Sequence, residues 1–431
     1  MPIIHTVQPG ESLWEISREH NIPYVNIAQA NGLKPPYSLV PGQNLYIPSV
    51  QKRHIVRPGE SLWSISQLYN VSIDSLMDVN KIDPSQIIYP GQVMIIPAES
   101  NTFGTIEVNG YLEPYGPTGQ ELKIIKDVDD YLTYLSLFSY RIQEDGTIIP
   151  LKNDQILINA ARNNGVAPLM VLTNFRGGTF DTELADAILK NPQMQETLIN
   201  NILNTLKSKN FYGLNVDFER VSPSSRDLYT EFLKKLRDRL KPLGYSLSVA
   251  LAPKLSASQI GAWYEAHDYG AIGSIADFVI LMTYEWGWSG GPPLAVAPIN
   301  QVRKVLNYAV TVIPRKKIMM GIPLYGYDWT LPYIPKGGFA KRLSPVQAVE
   351  RAVKFGSPIR FDGESQSPYY YYFDENRNRH VVWFEDAKSV LAKFKLVKDY
   401  GLRGVSYWVL GSDFPQNWLL LEDLFNIKKV L

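Results

Sequence analysis

The chain contains no cysteine, which excludes a disulfide framework and any thiolate metal site. It has almost no net charge: 43 Lys and Arg stand against 42 Asp and Glu, so no field recruits nucleic acid or an anionic membrane. The five histidines (His5, His20, His54, His267, His380) are scattered along the sequence, and neither a metal nor another cofactor is expected. No Gly-rich phosphate loop follows an early strand, which argues against a doubly wound nucleotide-binding sheet. The opening "MPIIHTVQPGESLW" lacks a basic stretch and a long apolar core, so neither a signal peptide nor a membrane span is expected. What the chain does have is length and aromatic rings. Its 431 residues suit two to four units, or one large unit with small appendages, and nine Trp and 26 Tyr supply flat faces of the kind that stack on sugars.

"HTVQPGESLW" at 5–14 recurs as "HIVRPGESLW" at 54–63, an offset of 49 residues. "PGQNLYIP" at 41–48 answers "PGQVMIIP" at 90–97, and Asn31 answers Asn80, with the same offset, so a whole unit is duplicated without insertion. Each copy reads strand, helix, helix, strand. Ser12 and Glu15 make a capping box for the first helix, whereas Ser64 stands in place of Glu15 in the second copy and leaves its box incomplete. On these motifs, residues 1–49 and 50–98 resemble LysM domains. The resemblance implies binding of polymers containing N-acetylglucosamine beside the first strand-to-helix turn, at Gly10, Ser12 and Leu13 and again at Gly59, Ser61 and Leu62.

From about residue 104 to 428 the pattern alternates. Strands are predicted at 105–112, 131–138, 168–175, 212–219, 246–253, 277–285, 317–326 and 404–411, with amphipathic stretches such as "SSRDLYTEFLKKLRDRL" between most of them. Eight strands with helical crossovers predict an α/β fold, a (β/α)8 TIM barrel. Residues 331–384 break the alternation and read as a small α+β insertion after strand seven.

Within the fourth strand, "GLNVDFE" places Asn215, Asp217 and Glu219 on one face and Leu214, Val216 and Phe218 on the other. With the apolar set against helices, the polar set enters the barrel axis, and Glu219 lies at the carboxyl end, where barrel active sites are built. Two carboxyls close together in a poorly solvated place cannot both ionise cheaply, so one is kept protonated as a general acid. Asn174 ends the third strand facing the same pocket. Tyr111, Trp286, Trp288 and Tyr325, at strand ends, are candidates for stacking on sugars.

This stretch resembles the signature of glycoside hydrolase family 18, as do "LMTYE" at 281–285, "GIPLYG" at 321–326 and "SYWVLG" at 406–411. The resemblance implies that Glu219 protonates the glycosidic oxygen, that Asp217 and Asn215 support the substrate's own acetamido group as nucleophile, that Tyr284 binds the acetamido oxygen, and that Trp408 floors the site. Asn215 and Glu285 depart from the family pattern, each standing where an Asp is usual, and Glu285 is expected at the substrate. Two LysM domains before such a barrel resemble the cortex-lytic N-acetylglucosaminidases of spore-forming bacteria. That implies a monomer that acts on peptidoglycan without nucleic acid, membrane or cofactor, located at the spore coat or cortex surface. A chitinase and a non-catalytic chitinase-like lectin are the alternatives.

Overall fold

A computed structural model describes residues 2–48, 52–83, 85–96, 103–114, 116 and 118–431. Its centre is a ring of eight parallel strands: Thr105–Leu112, Tyr134–Ile142, Ala167–Thr173, Gly213–Asp217, Ser246–Leu251, Phe278–Leu281, Ile318–Pro323 and Gly404–Trp408. Each strand pairs with the next, and the eighth pairs with the first through Gly404 opposite Glu107, so the sheet has no free edge within the ring. The second strand begins at Tyr134 rather than 131 because Asp129–Tyr131 coil into a short 3-10 turn.

Alternation along the strands sorts side chains into two cores. Outward residues such as Leu214, Val216, Phe218, Leu247 and Val279 pack with the helices in one continuous cluster. Phe218, for example, stacks on Tyr229 and Phe232 of the helix Arg226–Leu240. Inward residues form layers. At the amino end of the strands Glu107 is gripped by Arg403 and Lys428. Tyr134, Leu169, Phe278 and Met319 fill the middle. Polar groups take over toward the carboxyl end. Gly213 opens the fourth strand because a Cβ there would lie 2.4 Å from the Ser246 carbonyl oxygen of its neighbour.

After the seventh strand the chain leaves the barrel sooner than the sequence suggests. Gly326–Leu331, predicted in part as barrel strand, instead pairs with Arg379–Trp383 in a five-stranded antiparallel sheet completed by Lys341–Leu343, Ser367–Phe373 and Arg360–Asp362. The helix Pro345–Lys354 covers this sheet. The tetratyrosine divides as alternation requires: Tyr370 and Tyr372 are buried, while Tyr369 stacks on Trp383 and Tyr371 is exposed on the other face.

Both copies of the repeat form a two-stranded sheet with two helices, and the central asparagine is a staple in each. Asn31 bonds Ile27 and both main-chain groups of Tyr46; Asn80 does the same with Leu76 and Ile95. The second capping box, expected to be incomplete, is closed: the Ser64 hydroxyl accepts from the Ser61 N–H at 2.8 Å and the Ser61 hydroxyl from the Ser64 N–H. A short hydroxyl reaches that N–H as well as a glutamate does.

The first repeat is built into the barrel unit. Asn44 donates to buried Asp386 at 2.6 Å, Gln416 donates to Asn31, Tyr46 donates to Asp423, and Val40 joins the insertion's apolar core. Gly42, with φ +82°, lies against Ile359 so closely that a Cβ would meet its carbonyl oxygen at 1.8 Å. Among the described residues, every hydrogen bond of the second repeat is internal to it. Asn44→Asp should set two carboxylates against each other in a buried contact and cost about 3 kcal/mol at neutral pH. A thermal melt at pH 7 checks this, and a midpoint equal to that of the parent rules the contact out as a stabilising one.

Candidate active site

Asn215, Asp217 and Glu219 all point into the barrel axis and are buried. Asn215 is the lowest of the three and is fully satisfied: its carbonyl oxygen accepts from the Tyr111 hydroxyl at 2.9 Å and its amide donates to Ser248 at 2.9 Å. It thereby ties the first, fourth and fifth strands together across the axis. One layer up, Asp217 Oδ1 is buried and has no hydrogen-bond partner among the protein atoms. Burial raises the Asp217 carboxyl to about 7. Glu219 is pushed well above the usual carboxylate range, first by burial and then by the charge of Asp217. The nearest relief is Arg220, whose guanidinium instead lies over the Trp263 ring at 4.8 Å. The pair is thus poised to hold a proton near neutral pH.

The main chain that carries Glu219 is clamped from both sides. The Asn174 side chain bonds both its N–H and its carbonyl, at 3.1 and 2.9 Å. On the other side, buried His267 accepts from the Ala252 N–H at its Nδ1, which leaves Nε2 to carry the proton and donate to the Phe218 carbonyl at 3.0 Å. Burial lowers His267 to about 4, so the ring stays neutral and the bond persists. Asn174 therefore acts through the backbone rather than by reaching the pocket as expected.

A cavity of about 630 Å³ opens above these carboxyls. Asp217, Glu219, Tyr111, Tyr284, Glu285 and Trp408 line it, together with Trp288 and Trp263 at its exposed edge. Gly321 makes room for Tyr284, since a Cβ there would sit 2.7 Å from the phenol ring. Trp408 packs edge-on against Tyr111 and Phe138, with ring centroids 5.5 and 4.9 Å away, which fixes its orientation at the base. Glu285 holds a left-handed backbone, φ +67°, and one of its carboxylate oxygens accepts from both Tyr325 and Tyr327.

The model of glycosyl hydrolases family 18 matches residues 108–413, and that of the LysM domain matches 5–48 and 54–97. The chain belongs to glycosyl hydrolase family 18. Among its relatives, the cortical fragment-lytic enzymes of Bacillus cereus and Bacillus anthracis are 46% and 45% identical over 428 residues, covering 99% of each chain. The crystal structure of the spore cortex-lytic enzyme SleL of Bacillus megaterium QM B1551 matches with a TM-score of 0.85 at 44% identity, covering 100% of this chain and 99% of that one.

Within this family 18 fold, two expected pocket residues besides Asn174 lie elsewhere. Tyr325 is buried in a side cluster with Tyr327 and Trp329 and reaches the site only through Glu285. Trp286 packs against the main core, its main-chain N–H bonded to the Val296 carbonyl. In the repeats, Gly10, Ser12, Gly59 and Ser61 are exposed at the expected turns, but Leu13 and Leu62 face the module interiors. Exposed Trp14 and Trp63 stand beside those turns. Trp263, Phe175 and Phe180 were not anticipated: Trp263 sits in a connection with no periodicity, and Phe175, predicted at the end of the third strand, instead pairs with Phe180 in a two-residue hairpin at the cavity; His267, alone in its stretch, carried no signal.

Because the Asp217 carboxyl is held above its unfolded value, the fold loses stability as pH rises from about 4 through 7. Asp217→Asn removes that penalty. It should raise unfolding free energy by on the order of 1–3 kcal/mol at pH 8, with little gain at pH 4. Denaturant titrations at both pH values check this, and a gain that is the same at both would contradict it.

Proposed function

We propose that the chain is a retaining β-N-acetylglucosaminidase that cleaves β-1,4 bonds in peptidoglycan, with spore cortex or its fragments as substrate. The observation that carries this reading is Asp217 Oδ1, a buried acceptor without a protein partner, beside a glutamic acid that burial keeps protonated. A substrate acetamido N–H supplies the missing donor. Glu219 then gives its proton to the glycosidic oxygen, and the acetamido oxygen attacks the anomeric carbon from within the substrate, as in the substrate-assisted glycosidases. The positive charge that develops on the resulting ring is offset by Asp217. Tyr284, packed beside both carboxyls, orients the acetamido oxygen, and Trp408 supports the apolar face of the sugar. Water opens the ring with Glu219 now acting as base, and the anomeric configuration is retained.

No second enzyme carboxylate is needed. Glu285 is the only other acid lining the cavity among the described residues, and two tyrosine hydroxyls already occupy it. Asn215, where the family pattern has Asp, keeps Asp217 from sharing its proton downward, since both of its polar atoms are engaged by Tyr111 and Ser248. The preference for cortex over chitin rests on the relatives named above and on the paired LysM domains. No helix of the described residues is long and apolar enough to cross a membrane, and we place the enzyme, as a monomer, at the spore cortex or coat surface.

Glu219→Gln should lower kcat by about 10²–10⁴-fold or more while the barrel stays folded and wall material is still bound. Proton NMR of the first product should show the β anomer; an α product rules out the retaining reading, and full activity in the variant rules out the assigned acid. Digests of purified cortex, vegetative wall and chitin, read by mass, should release products from cortex foremost. Turnover of chitin alone would instead make the enzyme a chitinase.

Asn215→Asp adds a carboxyl below Asp217 and should move the pH limits of kcat/KM upward, by about one unit, as a property of the coupled group. A profile superimposable on that of the parent would show that Asn215 is electrostatically silent.

A further inference from the structure

The five histidines are less scattered than the sequence suggests. In the first LysM domain the strand Ile3–Thr6 and the last turn of the helix Leu13–His20 bring two of them together, with His5 Nδ1 3.1 Å from His20 Nε2 and the rings nearly perpendicular. Glu19 Oε1 lies 3.9 Å from the same His20 nitrogen, and one atom of each of the three residues falls within 4.8 Å of the others. The far side of His5 is held as well. Its Nε2 faces Glu11 at 2.9 Å, and Glu11 also accepts the Gln8 N–H at 2.7 Å. With the Nε2 proton directed at Glu11, Nδ1 presents a lone pair toward His20.

We propose that His5, His20 and Glu19 bind one divalent transition-metal ion of the zinc class, with Glu11 orienting His5 from its other nitrogen. Two imidazole nitrogens on a tetrahedral zinc stand about 3.3 Å apart, close to the spacing seen, and the carboxylate needs only a small rotation to join them. A carboxylate on the remote nitrogen of a metal-binding histidine is the usual outer support of such sites. Nitrogen ligands disfavour magnesium and calcium, which take oxygen. Three protein ligands leave the fourth position to water.

The second repeat is an internal control. His54 faces Glu60 at 2.6 Å and Glu60 accepts the Arg57 N–H, as in the first copy. There His54 Nδ1 meets the Tyr69 hydroxyl at 3.1 Å, and Leu68 occupies the position of Glu19. A tyrosine is therefore enough to satisfy the buried histidine in this fold. The first copy departs from it at two adjacent positions, and both departures add a ligand atom. The bound ion would pin the amino-terminal strand to the helix that follows the Gly10 turn, next to the face where the module meets glycan.

The test uses the full chain without a histidine tag, stripped with chelator. Calorimetric titration with Zn2+ at pH 7.5 should give one site per chain, with a raised melting midpoint of the unit that holds the first module, and Co2+ should give the visible absorption of a tetrahedral complex. His20→Tyr, which copies the second repeat and keeps the hydrogen bond, should abolish both signals with an unchanged circular dichroism spectrum. Glu11→Gln should weaken binding about 10–100-fold. The double change Leu68→Glu with Tyr69→His should raise the stoichiometry to two. No heat and no shift with the parent protein, equal binding by His20→Tyr, or one site in the double variant would each overturn the assignment.

Discussion

Desolvation of two neighbouring carboxyls, Asp217 and Glu219, at the carboxyl end of the barrel is the constraint on which the rest of the structure depends. A buried carboxylate is tolerated when a cation or several N–H groups face it. Glu107 shows that case within the same barrel: burial pushes its pKa up, but Lys428, Arg403 and Tyr134 more than compensate, and it ends below the usual range. Asp217 and Glu219 form no ion pair among the described residues, and both are pushed upward. The difference separates a carboxylate that holds the fold together from a pair that the fold must carry. A proton kept at neutral pH is what a general acid needs, so the energetic penalty and the chemistry are one property.

Carrying such a pair demands rigidity around it, because a mobile Glu219 would turn toward water and lose its proton. The clamps answer this. Asn174 holds both main-chain groups of Glu219, His267 holds the preceding carbonyl, and Tyr111 and Ser248 lock the asparagine beneath Asp217. Each clamp comes from a different strand or connection, so the closed ring is what makes them converge. The left-handed backbone at Glu285 and Arg220 lies at the rim of the same cavity, where local strain is supported by the surrounding barrel.

The part of this that was legible in sequence is the part governed by period. Alternation in "GLNVDFE" separated the axial face from the helix-facing one, and the 49-residue repeat exposed the two small modules. What period does not encode is where a chain goes once a strand ends. Tyr325 follows the seventh strand, but Gly326 already belongs to the insertion sheet, so its ring turns away from the cavity and meets it only through Glu285. Trp286, one residue past Glu285, packs on the core where its main-chain N–H pairs with the Val296 carbonyl. Positioning residues such as His267 are invisible for a related reason. Their partners are backbone atoms, which leave no trace in residue identity, and its contact with Phe218 spans 49 positions.

Duplication with divergence explains why two modules of one ancestry behave differently. Among the residues by which the first repeat meets the barrel unit are Asn31, Val40, Gly42, Asn44 and Tyr46. Their counterparts 49 positions on are Asn80, Tyr89, Gly91, Val93 and Ile95. Gly91 has open space around its Cβ direction, and Tyr89 and Val93 are exposed. The polar atoms that reach Asp386 and Asp423 are thus replaced by carbon in the second copy, which removes the specific bonds while the βααβ fold, held by its own asparagine staple, is kept. A LysM module fixed to the catalytic unit holds a bound polymer in a set geometry relative to that unit, so its contribution to effective concentration depends on that geometry rather than on a linker. The second copy has no hydrogen bond to that unit among the described residues. The contacts that join the first module to the barrel unit, and their loss from the second among the described residues, thus follow from the side chains at Val40, Asn44 and Tyr46 and their replacement at a fixed sequence offset.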